Sequence, residues 1–198
     1  MHLENYAILP VVSRILVGIG WLGFMAFFVF KKKPVAQGET KRAPASNVGI
    51  FLQGVAFFLV WMIQRHVPAA GSSLGALEVT FDVLAPIVSL ASVWMGLSAV
   101  RTLGRQWSYT ARLVEGHRLV TEGPYRLVRH PIYTGMLGKL VATNFAFGHP
   151  IGLPLAGTFF VIGTVIRVRS EEKLLHEAFG REYEEYARRV PAFIPFAR

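Results

Sequence analysis

The run Ile8-Leu-Pro-Val-Val-Ser-Arg14-Ile-Leu-Val-Gly-Ile-Gly-Trp21-Leu-Gly-Phe-Met-Ala-Phe-Phe-Val-Phe30 decides the fold class. It is apolar throughout apart from Ser13 and Arg14, and at 1.5 Å per residue its 23 residues cover the roughly 30 Å of a bilayer's hydrocarbon. Four further segments share this character: Val48–Ile63 without a charge, Val79–Val100 with only Asp82, and the shorter Ile132–Phe147 and Ile151–Ile166. The last two flank Gly148-His149-Pro150 and predict a tight helical hairpin that barely spans. Lys139 within the fourth segment is costly in lipid and is expected to face protein or water. The predicted architecture is therefore all-α and polytopic, with about five transmembrane helices in one domain over 1–198. Three spans occupy 1–100. A loop, the hairpin and a terminal amphipathic helix occupy 101–198.

Composition agrees. Of 198 residues 53% are hydrophobic and only 17% charged, with a mean hydropathy of +0.42, which leaves too little polar surface for a soluble globule and excludes intrinsic disorder. The net charge of +9 raises the question of a polyanionic partner, and the placement of the charge answers it. Eighteen of the 21 basic residues fall in three stretches, Lys31 to Asn47, Arg101 to Pro131 and Arg167 to Arg198, which five spans place on one side. With nine of the 12 acidic residues, these stretches carry the whole +9 and the rest of the chain sums to zero. Because cytoplasmic loops collect Lys and Arg, the N-terminus is expected outside and the C-terminus in the cytoplasm, with no basic patch left for nucleic acid. The compactness of the chain favours a plasma or inner membrane. Met1 to Tyr6 lacks a basic start, so segment one reads as a permanent span rather than a cleaved leader. The absence of Cys excludes disulfides, a thiol nucleophile and thiolate-bound metal, and the six His show no ligand spacing.

Gly18-Ile19-Gly20-Trp21-Leu22-Gly23 matches the dinucleotide fingerprint, but that motif works at a strand-to-helix turn and this one lies within a membrane span. Small residues that let helices approach are the simpler explanation. Residues 31–47 read as a polar loop. After Ile166 an amphipathic helix is expected, with Leu174, Leu175, Ala178, Phe179, Tyr183, Tyr186 and Val190 on its apolar face.

Chemistry concentrates between Arg101 and Gly135, where His117-Arg118-Leu119-Val120-Thr121-Glu122-Gly123-Pro124-Tyr125 leads to Arg129-His130-Pro131-Ile132-Tyr133-Thr134-Gly135. Pro131 suits the first turn of a helix, which puts His130 at the N-cap and its first free N–H groups at the membrane surface. With Arg129 beside it, such a terminus favours a carboxylate or phosphate, and Tyr125 and Tyr133 offer ring faces to a cation or an adenine. Taken singly, Arg126 and Arg129 also serve as topology anchors and the tyrosines as interfacial-belt residues. A second cluster, Arg167-Val168-Arg169-Ser170-Glu171-Glu172, lies where segment five emerges, with Arg167 and Glu171 on one helical face.

As an ordered set, Gly123-Pro124-Tyr125, Arg129-His130-Pro131-x-Tyr133-x-Gly135, a hairpin, Arg167-x-x-x-Glu171-Glu172 and Phe179-Gly180-x-x-Tyr183-x-x-Tyr186 resembles the isoprenylcysteine carboxyl methyltransferase family, integral-membrane enzymes related to phospholipid N-methyltransferases. The likeness begins at Leu103 and covers the C-terminal half. It implies a methyltransferase using S-adenosyl-L-methionine, held by His117, Arg118, Leu119, Val120, Tyr125, Arg129, His130, Pro131, Ile132, Tyr133 and Glu171. Arg167, Glu171 and Glu172 would then serve the reacting end, Arg167 orienting the acceptor, and Glu171, Glu172 or His130 could act as base where an amine nucleophile must lose a proton. The implied acceptor is a lipophilic or amphiphilic carboxylate drawn from the bilayer. A phospholipid, small amine or thiol acceptor stays open on the same scaffold, as does a noncatalytic membrane binding or transport subunit. Sterol-type reductases share part of the architecture but are longer, many-span chains. No metal is implied, and the acceptor's identity and the oligomeric state are not encoded in these motifs.

Overall fold

The computed structural model describes residues 8–30, 39–65 and 75–194. The Met1 to Tyr6 start, the Lys31–Lys33 cluster, and Phe196 and Arg198 at the far end lie outside the described residues. The elements in chain order are α1 (Ile8–Phe30), β1 (Glu39–Arg42), α2 (Ser46–Met62), α3 (Ala76–Leu103), β2 (Arg112–Val114), α4 (Pro131–Phe147), α5 (Gly152–Phe179) and α6 (Arg181–Arg189), with short 3-10 turns at Gly104–Gln106 and Gly123–Arg126.

Three stretches, Ile8–Ala26, Ala76–Gln106 and Gly152–Phe179, are helices long and apolar enough to cross a membrane. The helices α2 and α4 exist where expected but have 17 residues each, about 25 Å of rise, which falls short of a full hydrocarbon crossing. Large apolar side chains such as Ile15, Ile19 and Leu22 of α1, Phe51 and Phe58 of α2, and Ile87, Leu90 and Trp94 of α3 are exposed, the pattern of a surface turned to lipid.

The predicted hairpin is less tight than its short turn implies. From that turn α4 packs chiefly against α3 and α5 against α2, and the two touch each other little. Small residues cause this pairing. A Cβ at Gly135 would lie 2.9 Å from the Ser92 carbonyl of α3, and one at Gly163 would lie 2.7 Å from the Gly49 carbonyl of α2. The core is accordingly thin and shared: Ala56, Val60, Leu140, Ala156 and Phe160 join α2, α4 and α5, while Val17, Ala85 and Ala146 join α1, α3 and α4. At the hairpin end, the Arg65 N–H donates to the Phe147 carbonyl (2.9 Å), the Arg65 guanidinium pairs with buried Asp82, and Arg14 Nε donates to the Ala146 carbonyl (3.0 Å). The cations of α1 and of the residues after α2 thus satisfy backbone and carboxylate groups that lipid would leave unpaired.

Two expectations are corrected at the opposite end. Residues 31–47 are not simply a loop, because β1 pairs antiparallel with β2, with Lys41 opposite Leu113 and Arg42 opposite Arg112. The amphipathic stretch after Ile166 is no separate helix either. The helix α5 runs unbroken to Phe179, and the chain turns only at Gly180, whose φ of +49° suits a residue without Cβ. The composition shift at Ile166 marks a change of solvent along one rod. Tyr183 and Tyr186 of α6 are buried as predicted, whereas Ala178 is exposed.

Candidate active site

Four elements bring the site together. The helix α4 starts at Pro131 with His130 as its N-cap, in the position the sequence predicts. Two turns of α5 beyond its apolar part present Arg167, Glu171 and Glu172, α2 contributes Gln53, and the segment around β2 contributes Tyr109.

The central group is Arg167, only 9% exposed although charged. Its Nε donates to Tyr133 Oη (2.8 Å), Nη1 to Gln53 Oε1 (3.2 Å) and Nη2 to the Tyr109 carbonyl (2.6 Å), and the guanidinium lies 4.9 Å from the centre of the Tyr133 ring. Tyr133 Oη in turn donates to Glu171 Oε1, and Gln53 Nε2 donates to Thr164 Oγ1 (2.9 Å). Three of the five N–H groups of Arg167 are used in this way, which leaves one on each terminal nitrogen. Close approach of α2 makes the arrangement possible. A Cβ at Gly49 would press on the Arg167 side chain and lie 2.5 Å from the Gly163 carbonyl.

Beside this set, His130 is 5% exposed, with Nε2 3.0 Å from Glu172 Oε1 and Nδ1 3.6 Å from Glu171 Oε2. Burial alone would lower its pKa, but the bonds and charges of the two carboxylates outweigh burial and raise it above the ordinary value. The raised pKa makes this pairing a source of stability that is fully present below about 6.5 and lost as pH rises through the higher folded-state value. A ring-proton NMR titration is expected to place the His130 midpoint above that of a free histidine, and Glu172→Gln is expected to lower it. A midpoint unmoved by that substitution would contradict the pairing.

Arg129 faces the same region but is bound elsewhere. Its Nε and Nη2 donate to Glu172 Oε1 (3.2 and 3.0 Å), and its Nη1 donates to the carbonyls of Ala187 (2.8 Å) and Val190 (2.9 Å). The backbone N–H groups of Arg129 and His130 donate to the carbonyls of Pro191 (2.8 Å) and Ala192 (3.0 Å), and Thr134 Oγ1 donates to the Phe193 carbonyl (3.0 Å). The anion-ready mouth read from the sequence is thus partly filled by the strap that follows α6.

A cavity of about 710 Å³ opens between these elements, within the roughly 300–1,000 Å³ range of small-molecule sites. Of the residues singled out in the sequence, it is lined by His117, Tyr125, Arg129, His130, Pro131, Ile132, Tyr133, Arg167 and Glu171. Arg118, Leu119, Val120 and Glu172 are not on its wall. Arg118 is exposed, with its N–H bonded to Gln106 Oε1 (2.6 Å). Leu119 is half-buried, and Val120 packs with Ala99 and Tyr125 under the loop. Glu172 is taken by Arg129 and His130. Deeper in, the cavity is bounded by Trp21, Phe24, Met25 and Phe57. His117 lines the cavity wall, but its Nδ1 is itself buried and without a hydrogen bond, and burial lowers its pKa. Sequence reasoning missed Gln53 and Tyr109. Gln53 gave the only usable signal, an amide in an otherwise apolar span. Among the described residues, no group of three or more His, Asp or Glu is arranged to hold a metal ion.

The site is thus a cavity inside a bundle of apolar helices, lined both by polar and charged side chains such as Arg167, Glu171 and His130 and by apolar ones such as Phe24 and Phe57. Residues 81–182 match the phospholipid methyltransferase family, and the chain belongs to that family. Its relatives include protein-S-isoprenylcysteine O-methyltransferase B of Arabidopsis thaliana, 38% identical over 101 residues that make up 50% of this chain and 51% of the plant protein. Protein-S-isoprenylcysteine O-methyltransferase of Saccharomyces cerevisiae is 34% identical over 102 residues, 50% of this chain and 42% of the yeast one. The cobalt-zinc-cadmium resistance protein CzcN of Cupriavidus metallidurans is 34% identical over 153 residues, 75% of this chain and 63% of its own. The chain spans about half the length of the first of these relatives and less than two thirds of the other two. The resemblance to isoprenylcysteine methyltransferases read from the ordered motifs holds.

Proposed function

We propose that the chain is an S-adenosylmethionine-dependent methyltransferase that methylates a carboxylate on a lipophilic acceptor, with its active site at the cytoplasmic face. The observation that carries this reading is the convergence of Arg167, Tyr133 and Glu171 on the polar end of a cavity whose deeper walls are apolar. The residues present fit the cofactor. Tyr125 and Tyr133 on the cavity wall offer ring faces, and Glu171 offers an acceptor for an amino group or hydroxyl. When bound, S-adenosylmethionine supplies an electrophilic methyl group on a sulfonium.

The chain's own residues then have to position and to exclude water. Arg167, its fork fixed by three bonds and its side chain on the cavity wall, keeps two N–H groups with which to bind an acceptor carboxylate and fix its direction. That carboxylate is already ionised at neutral pH, so the site needs no strong base. His130, bracketed by two carboxylates that raise its pKa, helps to keep Glu171 and Glu172 in place. An amine acceptor on the same scaffold would use Glu171 to take the proton that such a nucleophile loses. The charge distribution supports the cytoplasmic placement. The Arg and Lys of the site-bearing stretches favour a cavity mouth on the cytoplasmic side, where a soluble cofactor is available.

Purified protein is expected to bind S-adenosylmethionine in calorimetry and to bind it more weakly as Tyr133→Ala or Glu171→Gln. Labelled methyl transfer to a lipid extract, followed by base, is expected to release volatile methanol from methyl esters. Label that survives base would move the reading to N-methylation. A wild-type protein that binds no S-adenosylmethionine would remove the enzyme reading.

A further inference from the structure

One buried cation has no task in the reaction described above. Lys139 of α4 is 1% exposed, yet it borders the same cavity. Its Nζ donates to Ser89 Oγ of α3 (2.7 Å) and to the Val17 carbonyl of α1 (3.2 Å), and it lies 5.3 Å from the centre of the Trp21 ring. All three neighbours are neutral. Asp82, two turns before Ser89 on α3, is committed to Arg65. An ammonium carries three N–H groups, and at membrane depth a cation without a counter-charge is costly.

The surroundings keep this head group in place. The Trp21 ring is oriented by its Nε1–H donating to Thr143 Oγ1 (2.9 Å). Gly20 supplies clearance, since a Cβ there would lie 2.8 Å from Lys139 Nζ and 2.7 Å from Ser89 Oγ. This accounts for the middle glycine of the Gly18-Ile19-Gly20 run, whereas Cβ atoms at Gly18 and Gly23 would meet nothing within 4 Å.

We propose that Lys139 forms the deep end of the acceptor site and binds a carboxylate on the far end of a linear, lipophilic acceptor. This rests on reading the cavity as the acceptor site. Tyr133 and Lys139 are six residues apart on α4, about 9 Å along its axis, and the Cα–Cβ bond of Lys139 tilts back toward Tyr133. Met136 lies between them on α4, and the apolar Phe24, Met25 and Phe57 line the same cavity. The site therefore has a guanidinium at its mouth, a greasy middle and an ammonium at its floor. A chain with a carboxylate at each end matches that order of groups, and a simple fatty acid leaves the ammonium unmatched.

The test uses the full chain in detergent micelles and two probes of one length, decanoate and decanedioate, with binding read by calorimetry. Wild type is expected to bind the dicarboxylate at least about tenfold more tightly, the size of one charge-assisted contact. Lys139→Met and Lys139→Gln are expected to remove the preference. A structural role for Lys139 would lower thermal stability in both variants and leave the preference intact. The proposal is overturned by that result, by a wild type without preference, or by a wild type that binds neither probe. S-adenosylmethionine binding, measured on the same wild-type sample, separates the two ideas. If it is intact while the preference is absent, only the Lys139 assignment falls. If it is absent, the enzyme reading falls.

Discussion

Arg167→Lys is expected to lower methyl transfer by about 100-fold or more, the scale seen when a preorganised donor to the reacting group is removed, while S-adenosylmethionine affinity stays close to wild type. The positive charge remains, so the effect isolates the fork. Arg167 is held from three directions, by Tyr133 Oη, Gln53 Oε1 and the Tyr109 carbonyl, and only a planar guanidinium reaches all three while keeping N–H groups for a carboxylate. A lysine ammonium satisfies at most part of that set and leaves the acceptor free to rotate, and misplacement of about 1 Å is enough for a loss of this order. Arg167→Ala is a poorer experiment. It removes the partner of the buried Gln53 Oε1, and the resulting loss of about 1–3 kcal/mol in stability confounds the kinetics. Labelled transfer assays with parallel calorimetry decide the matter. Wild-type rates in Arg167→Lys would place the acceptor away from Arg167.

The legible part of this molecule follows from how strongly each feature depends on local sequence. Helices α1 and α3 are set by length and hydrophobicity alone, and Pro131 fixes the start of α4, so these elements lie close to where hydropathy and turn residues put them. The β1–β2 ribbon lay beyond such reading. Its strands have four and three residues, are mostly charged or short of alternation, and pair across some 70 positions, so only the tertiary fold makes them strands. The unbroken α5 was hidden for another reason, because a helix leaving lipid changes its side chains without changing its backbone.

The site divides along the same line. Residues in motifs, His117, Tyr125, His130, Tyr133, Arg167 and Glu171, meet at one cavity although they are spread over 55 positions. Gln53 was passed over because in a 17-residue helix it looks like a tolerated polar residue. Its meaning appears only when α5 approaches at Gly49 and brings Arg167 into reach. The deep lysine shows the converse. Its cost was visible in the sequence, but its neighbours, drawn from α1 and α3, were not.

Arg129→Met is expected to destabilise the folded protein by about 2–3 kcal/mol, at or below the bottom of the roughly 3–5 kcal/mol range for breaking a fully buried pair, because this pair is only mostly buried. Arg129 and Glu172 side chains are 17% and 29% exposed, so water already screens part of their attraction. More than one ion pair is at stake. The same guanidinium closes the carbonyls of Ala187 and Val190 at the end of α6, where a helix leaves its last carbonyls without partners. From there the chain runs into the strap whose Pro191 and Ala192 carbonyls accept from the Arg129 and His130 backbone, and whose Phe193 ring lies 5.7 Å from the imidazole. Without Arg129, Glu172 keeps only His130 of these two partners, and the strap loses its side-chain anchor while its backbone bonds persist. Denaturant unfolding in detergent is therefore expected to shift, and amide exchange is expected to rise first at Arg129, His130 and Val190, before the core of α3 is affected. A double-mutant cycle with Glu172→Gln separates the two contributions. A coupling near zero would assign the whole effect to the carbonyls, and unchanged exchange at these amides would show that the strap is held without Arg129.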